Sequence, residues 1–199
     1  LYYHDGQGSY TNANLEAGDN SYRYSEANPN NYVCFGSDEE ICPEDNLYRI
    51  IGVFGDEVKV IKSTSYGNYA WDSSGNNDWS ISNVNNVLKT TYLNTITSEW
   101  QNKISNHNWK IGGLSYSNGT STPQTAYNYE IGIYSINRTY ASKIGLMYLS
   151  DYYYSAIPTY WSYSGFDNDG QDYRLSINNN WLYFGAAEWT ITIFTDYNY

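Results

Sequence analysis

An α+β fold is expected from three observations on the 199-residue chain. A Gly-Asp turn separates two strand-like runs within residues 47–62. Apolar residues keep helical spacing between residues 84 and 104. Three further apolar runs, at 109–114, 143–150 and 181–194, are short and rich in β-branched and aromatic residues, as strands are.

Residues 1–46 are polar, rich in Asn, Gly and Asp, and read as a turn-rich lead-in. The run Leu47-Tyr48-Arg49-Ile50-Ile51-Gly52-Val53-Phe54 reads as a buried strand. Gly55-Asp56 supplies a turn, and Glu57-Val58-Lys59-Val60-Ile61-Lys62 alternates apolar with charged residues, so the whole is a β-hairpin. Residues 63–79 form a loop carrying Trp71 and Trp79. Ser80 or Ser82 can cap a helix whose spaced residues are Val84, Val87, Leu88, Thr91 and Ile96. Thr97-Ser98-Glu99 starts a second short helix, with Trp100 and Ile104 on one face.

Trp109–Leu114 reads as a strand, 115–125 as a loop containing Pro123, and 126–140 fits neither template well. Lys143–Ser150 reads as a strand. Residues 151–180 form a long excursion rich in Tyr, Asp and Asn, and long loops of this kind carry function or are disordered. Trp181–Phe184 and Glu188–Phe194 read as two strands split by Gly185.

Composition narrows the function. Tyr, Asn, Ser and Gly supply 88 of the 199 residues, and the net charge is −11. So acidic a chain with ten Lys and Arg is a poor binder of phosphate backbones, which argues against a nucleic acid partner. No apolar run reaches the roughly 20 residues that span a bilayer. The low Lys and Glu content argues against a helical bundle. Two readings of the Tyr-rich composition stand. Tyr with Ser, Asn and Gly suits an interaction surface, because Tyr offers rigid contact area while the small polar residues adapt their hydrogen bonds. The same residues also suit half-buried strands and their turns.

Cys34 and Cys42 bracket an acidic, turn-rich segment and suit a small disulfide loop, which points to an oxidising compartment. Free thiols are the alternative. The pair is not a CxxC motif, and no other cysteine completes a zinc site.

Several segments together carry a resemblance. They are Asn46–Phe54, Lys143–Tyr152, and Asn179-Asn180-Trp181 with Glu188-Trp189-Thr190-Ile191. The chain resembles a family of secreted or surface proteins of gut Firmicutes, over nearly its whole length. Members often carry a prepilin-like or other membrane-anchoring amino terminus. The resemblance implies a C-type-lectin-like, formylglycine-enzyme-like fold: a twisted mixed sheet with two short helices and long irregular loops. The expected division is a turn-rich lead-in with the cysteine loop at 1–46 and a lectin-like domain, lacking its final strand, at 47–199. Members continue beyond the Glu-Trp-Thr-Ile strand to a final strand containing Arg-Pro, whereas this chain stops at Tyr199: either a sheet edge is open and can pair with another chain by self-association, or the piece is a truncation. The chain opens at Leu1-Tyr2-Tyr3 and reads as an excised piece.

The residues favoured for ligand binding are Tyr160, Trp161, Tyr163, Asp167, Asp169, Asp172, Trp181 and Tyr183. Rings stack on a ligand while carboxylates bond its hydroxyls. The competing reading packs Tyr152, Tyr153, Tyr154 and the later rings, through Phe166, as an aromatic satellite core. Asp167-Asn168-Asp169-Gly170-Gln171-Asp172 resembles the start of a calcium loop, but its twelfth position is Asn178 where an EF-hand has Glu. The sugar-binding Glu-Pro-Asn and Gln-Pro-Asp triplets of calcium-dependent lectins are absent too. No cofactor is therefore expected, with calcium the one candidate. The acidic run Asp38, Glu39, Glu40, Glu44 and Asp45 reads as a solvated face. His4 and His107 sit in no metal or triad context. The reactive cysteine site of a formylglycine-generating enzyme has no counterpart here, and a shared fold would not imply its chemistry.

The expectation is a non-enzymatic binding or adhesion module of a Gram-positive bacterium, extracellular or on the cell surface. It would recognise a glycan or a protein surface. A structural subunit of a surface filament or pilus is the alternative, and an enzyme the third.

Overall fold

In the computed structural model, residues 2–4, 21–115, 122–132, 134–162 and 172–194 are described. Helices and several small sheets alternate along them in an α+β arrangement. The expected hairpin is present as β4 (Leu47–Phe54) and β5 (Glu57–Lys62), joined at Gly55-Asp56. Its ladder shifts register between Ile50 and Gly52. Beyond the shift, Gly52 pairs with Lys59.

The other edge of β4 is taken by residues from the polar segment. β1 (Tyr2–His4) pairs with β2 (Ser21–Arg23). β2 and β3 (Tyr32–Cys34) lie in succession along β4, opposite Gly52–Phe54 and Leu47–Arg49. All these pairings are antiparallel, giving a five-stranded sheet with β4 at its centre. The division drawn at 46/47 therefore runs through a paired sheet. Three-residue polar strands have no alternation to read, and β4 supplies their partners. A Cβ on Gly52 would lie 2.3 Å from the carbonyl oxygen of Tyr22, so glycine there lets β2 approach.

Cys34 and Cys42 form a disulfide, with Cα atoms 5.7 Å apart. It closes the loop that leaves β3. Asn46 holds the same loop by accepting the Phe35 amide at its carbonyl and donating its side-chain amide to the Phe35 carbonyl.

Helix α1 (Asn83–Asn86) continues through a wider turn at Val87–Tyr92 and a tight one at Leu93–Thr95. Ser82 caps it by accepting the amide of Asn85 at 3.2 Å. Val84, Tyr92 and Ile96 are buried along this run, and Thr91 is exposed. α2 (Ser98–Gln101) follows as expected. β6 (His107–Lys110) and β7 (Gly113–Leu114) divide the strand read at 109–114.

Three expectations fail, each for a local reason. Pro123 opens helix α3 (Pro123–Glu130) instead of lying in a loop: it takes the first helical turn, where its missing N–H is harmless, and Thr122 caps it. Lys143–Ser150 is not a strand. The strand is β8 (Thr139–Ser142), paired antiparallel with β6, and α4 (Leu149–Ser155) begins inside the run. Carboxylates decide this. Asp151 accepts the amide of Tyr148 at 2.9 Å, and Glu130 accepts those of Leu149 and Ser150 at 3.0 and 3.1 Å. The first turn of a helix exposes such amides, and acceptors there stabilise it. Finally, 181–194 contributes only β9 (Ile193–Phe194), which pairs parallel with β7. Gly185 turns the chain at φ +80°, and Glu188 holds the turn by accepting the amide of Phe184.

The core is aromatic. Trp79, Val84, Trp109, Ile111, Tyr148 and Ile191 form its main cluster. Ile51, Met147, Tyr152, Trp181 and Leu182 form a second. No helix among the described residues is long and apolar enough to cross a membrane.

Candidate functional site

Of the eight residues favoured for binding, Tyr163, Asp167 and Asp169 lie outside the described residues. The other five do not share one open surface. Trp161 is 4% exposed, meets Tyr154 edge-on at 5.2 Å and donates its indole N–H to the carbonyl of Ala156. Trp181 is 5% exposed and donates its N–H to the carbonyl of Tyr24. The guanidinium of Arg49 lies 4.3 Å from the Trp181 ring centre. Asp172 accepts from the backbone N–H, Nε and Nη2 of Arg174, so both its oxygens are engaged by a buried cation. Tyr183 is half-buried against the second core cluster. Tyr160 is half-buried and stacks on Tyr173 at 5.9 Å, with Tyr173 at the surface.

Tyr152, Tyr153 and Tyr154 lie on α4 and are buried. Tyr154 and Trp161 pack with Tyr127 in a small cluster of their own, as the satellite-core reading has it. Among the described residues no group of three or more His, Cys, Asp or Glu is placed to hold a metal ion. His107 pairs through Nδ1 with Glu57 at 2.7 Å, and Ser105 donates to the other oxygen of that carboxylate. Those bonds hold the Glu57 carboxyl below its usual range, the Ser105 hydroxyl most of all. Ser105 bonds the acid rather than the imidazole, so the three do not form a nucleophile–base pair.

The exposed aromatic surface lies elsewhere. Trp189 is 52% exposed, and its indole N–H is fixed at 2.8 Å on the carbonyl of Tyr69. Tyr69 is itself at the surface and stacks with Tyr66 at 6.0 Å and an interplanar angle of 20°. Trp189, Trp71 and Trp79 make a ladder with ring centres 5.7 Å apart at each step, from the surface to a fully buried indole. Tyr66 rests edge-on against buried Tyr92. The exposed rings are therefore held by the core. Exposed amides of Asn68, Asn76 and Asn77 belong to the same loop, and Asp72 shapes it by accepting the backbone N–H groups of Ser74 and Asn76.

This patch lies outside the residues favoured for binding from the sequence. Pattern alone reads Trp189 as a strand residue and 63–79 as plain loop. A signal was there: Tyr66, Tyr69 and Trp71 stand among Ser, Gly and Asn, the mixture that suits an interaction surface.

A second constellation is buried under the hairpin. Arg23 and Lys59 pair in register with Gly52 from its two sides. Arg23 Nη1 donates to Oδ1 of Asp151 at 2.9 Å, and Lys59 Nζ to Oδ2 at 2.5 Å. The Asp151 side chain is 1% exposed and that of Lys59 15%. Burial pushes the Asp151 carboxyl up, but Lys59 and Arg23 outweigh it and hold the group below its ordinary value. Burial drives the Lys59 amine down. Glu130 is buried too, accepts Thr192 Oγ1 besides the two helix amides, and is raised to about 7 by burial.

No family model, no curated protein and no solved structure matches the chain.

Proposed function

We propose that this chain is a non-enzymatic, extracellular or surface-exposed binding module on a C-type-lectin-like scaffold, of the kind found in secreted proteins of gut Firmicutes. The ligand class is a glycan. The observation that carries this reading is Trp189, half open to solvent with its N–H already satisfied by Tyr69. A ring locked at its polar edge offers its apolar face at little entropy loss. Sugar rings present apolar C–H faces to such a platform, and the amides of Asn68, Asn76 and Asn77 can bond their hydroxyls. The disulfide suits an oxidising compartment. Tyr160 and Tyr173 form a second, smaller platform.

A glycan array probed with the chain and with Trp189→Ala tests this reading. Saturable binding to a defined glycan, lost in the variant while the fold is kept, supports it. Equal binding by both proteins refutes the platform.

A filament subunit is the second reading, favoured by β5. Among the described residues that strand pairs only with β4, and Val58 on it is 56% exposed. Open edges invite pairing with another chain. Light scattering over a concentration series separates the two readings: a constant monomer mass fits the binding module, and growth into ordered oligomers fits the filament.

A further inference from the structure

We propose that Lys59 and Asp151 are the partners of an intramolecular isopeptide bond, formed without an enzyme inside the folded chain. The two side chains meet 92 positions apart in sequence, one on β5 and one in the first turn of α4. Lys59 Nζ touches Asp151 Oδ2, so the amine already lies against the carboxyl group it would attack. Aromatic rings enclose the amine: its distances to the ring centres of Tyr148, Trp109 and Phe54 are 4.8, 5.4 and 5.8 Å.

The step balances with no co-reactant. Neutral Nζ of Lys59 adds to Cγ of Asp151. The Cγ–Oδ2 bond breaks as the amide C–N bond forms. Of the three protons on the starting ammonium, one stays on the amide nitrogen and two leave with Oδ2 as water. Oδ1 carries the charge of the tetrahedral intermediate and becomes the amide carbonyl, and Arg23 already donates to it.

Three physical effects favour the reaction. Reacting groups held in contact gain effective molarities of about 10⁵–10⁸ M over free amine and acid. Burial lowers the Lys59 amine and so raises the fraction of the neutral nucleophile. Amide formation also neutralises the buried Lys59 amine and Asp151 carboxyl together, while Arg23 keeps its bond to Oδ1 as the amide carbonyl oxygen. The Asp151 carboxylate resists, because Arg23 and Lys59 stabilise its charged form. Proton transfer from Lys59 to Asp151 must precede attack. The bond would tie the sheet to α4 and leave the exposed aromatic patch untouched, so this inference does not depend on the glycan reading.

The test is the intact mass of the purified chain under denaturing and reducing conditions, beside that of Lys59→Arg, followed by tryptic mapping of both. The expected wild-type mass is one water below that of the sequence. Trypsin should then fail to cut after Lys59 and release peptide 50–62 joined to peptide 144–174. Lys59→Arg should show its full sequence mass and no joined peptide. A wild-type chain at full sequence mass, cleaved normally after Lys59, overturns the proposal whether or not the variant folds. So does a one-water loss without the joined peptide.

Discussion

Arg23 and Lys59 flank Gly52 in one cross-strand row and share a single carboxylate, that of Asp151. Side chains directly opposite one another in a sheet share a face. Gly52 has no side chain to intervene, so the first turn of α4 can seat its acid between the two cations. This arrangement joins the sheet to the helix.

Asp151→Ala leaves Arg23 and Lys59 buried without their shared anion and removes the acceptor for the Tyr148 amide. Removing one partner of a buried ion pair costs about 3–5 kcal/mol. Urea unfolding should show a loss of that size, with α4 the most affected element.

The tryptophans separate by burial. Trp161→Ala empties a packed site and should cost about 3–5 kcal/mol of stability. Trp189→Ala removes a half-exposed ring and should cost less, on the order of 1 kcal/mol. Binding should follow the opposite order once stability is accounted for. Thermal unfolding alongside glycan affinity for the two variants checks both halves.

Glu130 makes stability fall as pH rises. Its folded value of about 7 exceeds the ordinary carboxyl value of 4.5, so its contribution is fully present below 4.5 and lost as pH climbs through about 7. The shift corresponds to roughly 3 kcal/mol across that window. In a chain whose Lys59–Asp151 amide has not formed, Asp151 acts in the opposite sense: its depressed carboxyl adds stability above 3.8 that is lost in stronger acid. Denaturant midpoints from pH 4 to 8 should decline with pH, and Glu130→Gln should flatten the decline while lowering stability overall.

Reducing the Cys34–Cys42 bond releases a short loop. For a closed loop of this size the chain-entropy loss is about 2–3 kcal/mol. The Cys34→Ser, Cys42→Ser double variant should unfold at lower urea, and hydrogen exchange should rise first at 35–46, where Phe35 and Asn46 hold the loop closed.

The hairpin at 47–62 was legible because turn chemistry and alternation agreed there, and the Ser82 cap because residue type and spacing did. The run at 143–150 misled because it is apolar throughout, a pattern that strands and buried helices share. What makes it a helix start is Glu130, nineteen positions earlier, together with Asp151 just inside the helix. Contacts of that kind leave no mark in a local window. Trp161 and Trp181 show the same limit. Their residue type suits a ligand platform and a core equally, and the carbonyls of Ala156 and Tyr24 that bond their indoles decide for the core. The buried Asp172–Arg174 pair lay two positions apart in plain view, but its burial comes from α4, where Tyr153 lies 3.8 Å from the guanidinium.

The glycan reading stands or falls on Trp189. The chain has seven tryptophans, and their indole N–H groups give separate nuclear magnetic resonance signals. Titration with a glycan selected on the array should shift the Trp189 signal saturably, with a smaller shift at Trp71, and leave buried Trp161 and Trp181 in place. Saturable binding that leaves the Trp189 signal unmoved would contradict the account.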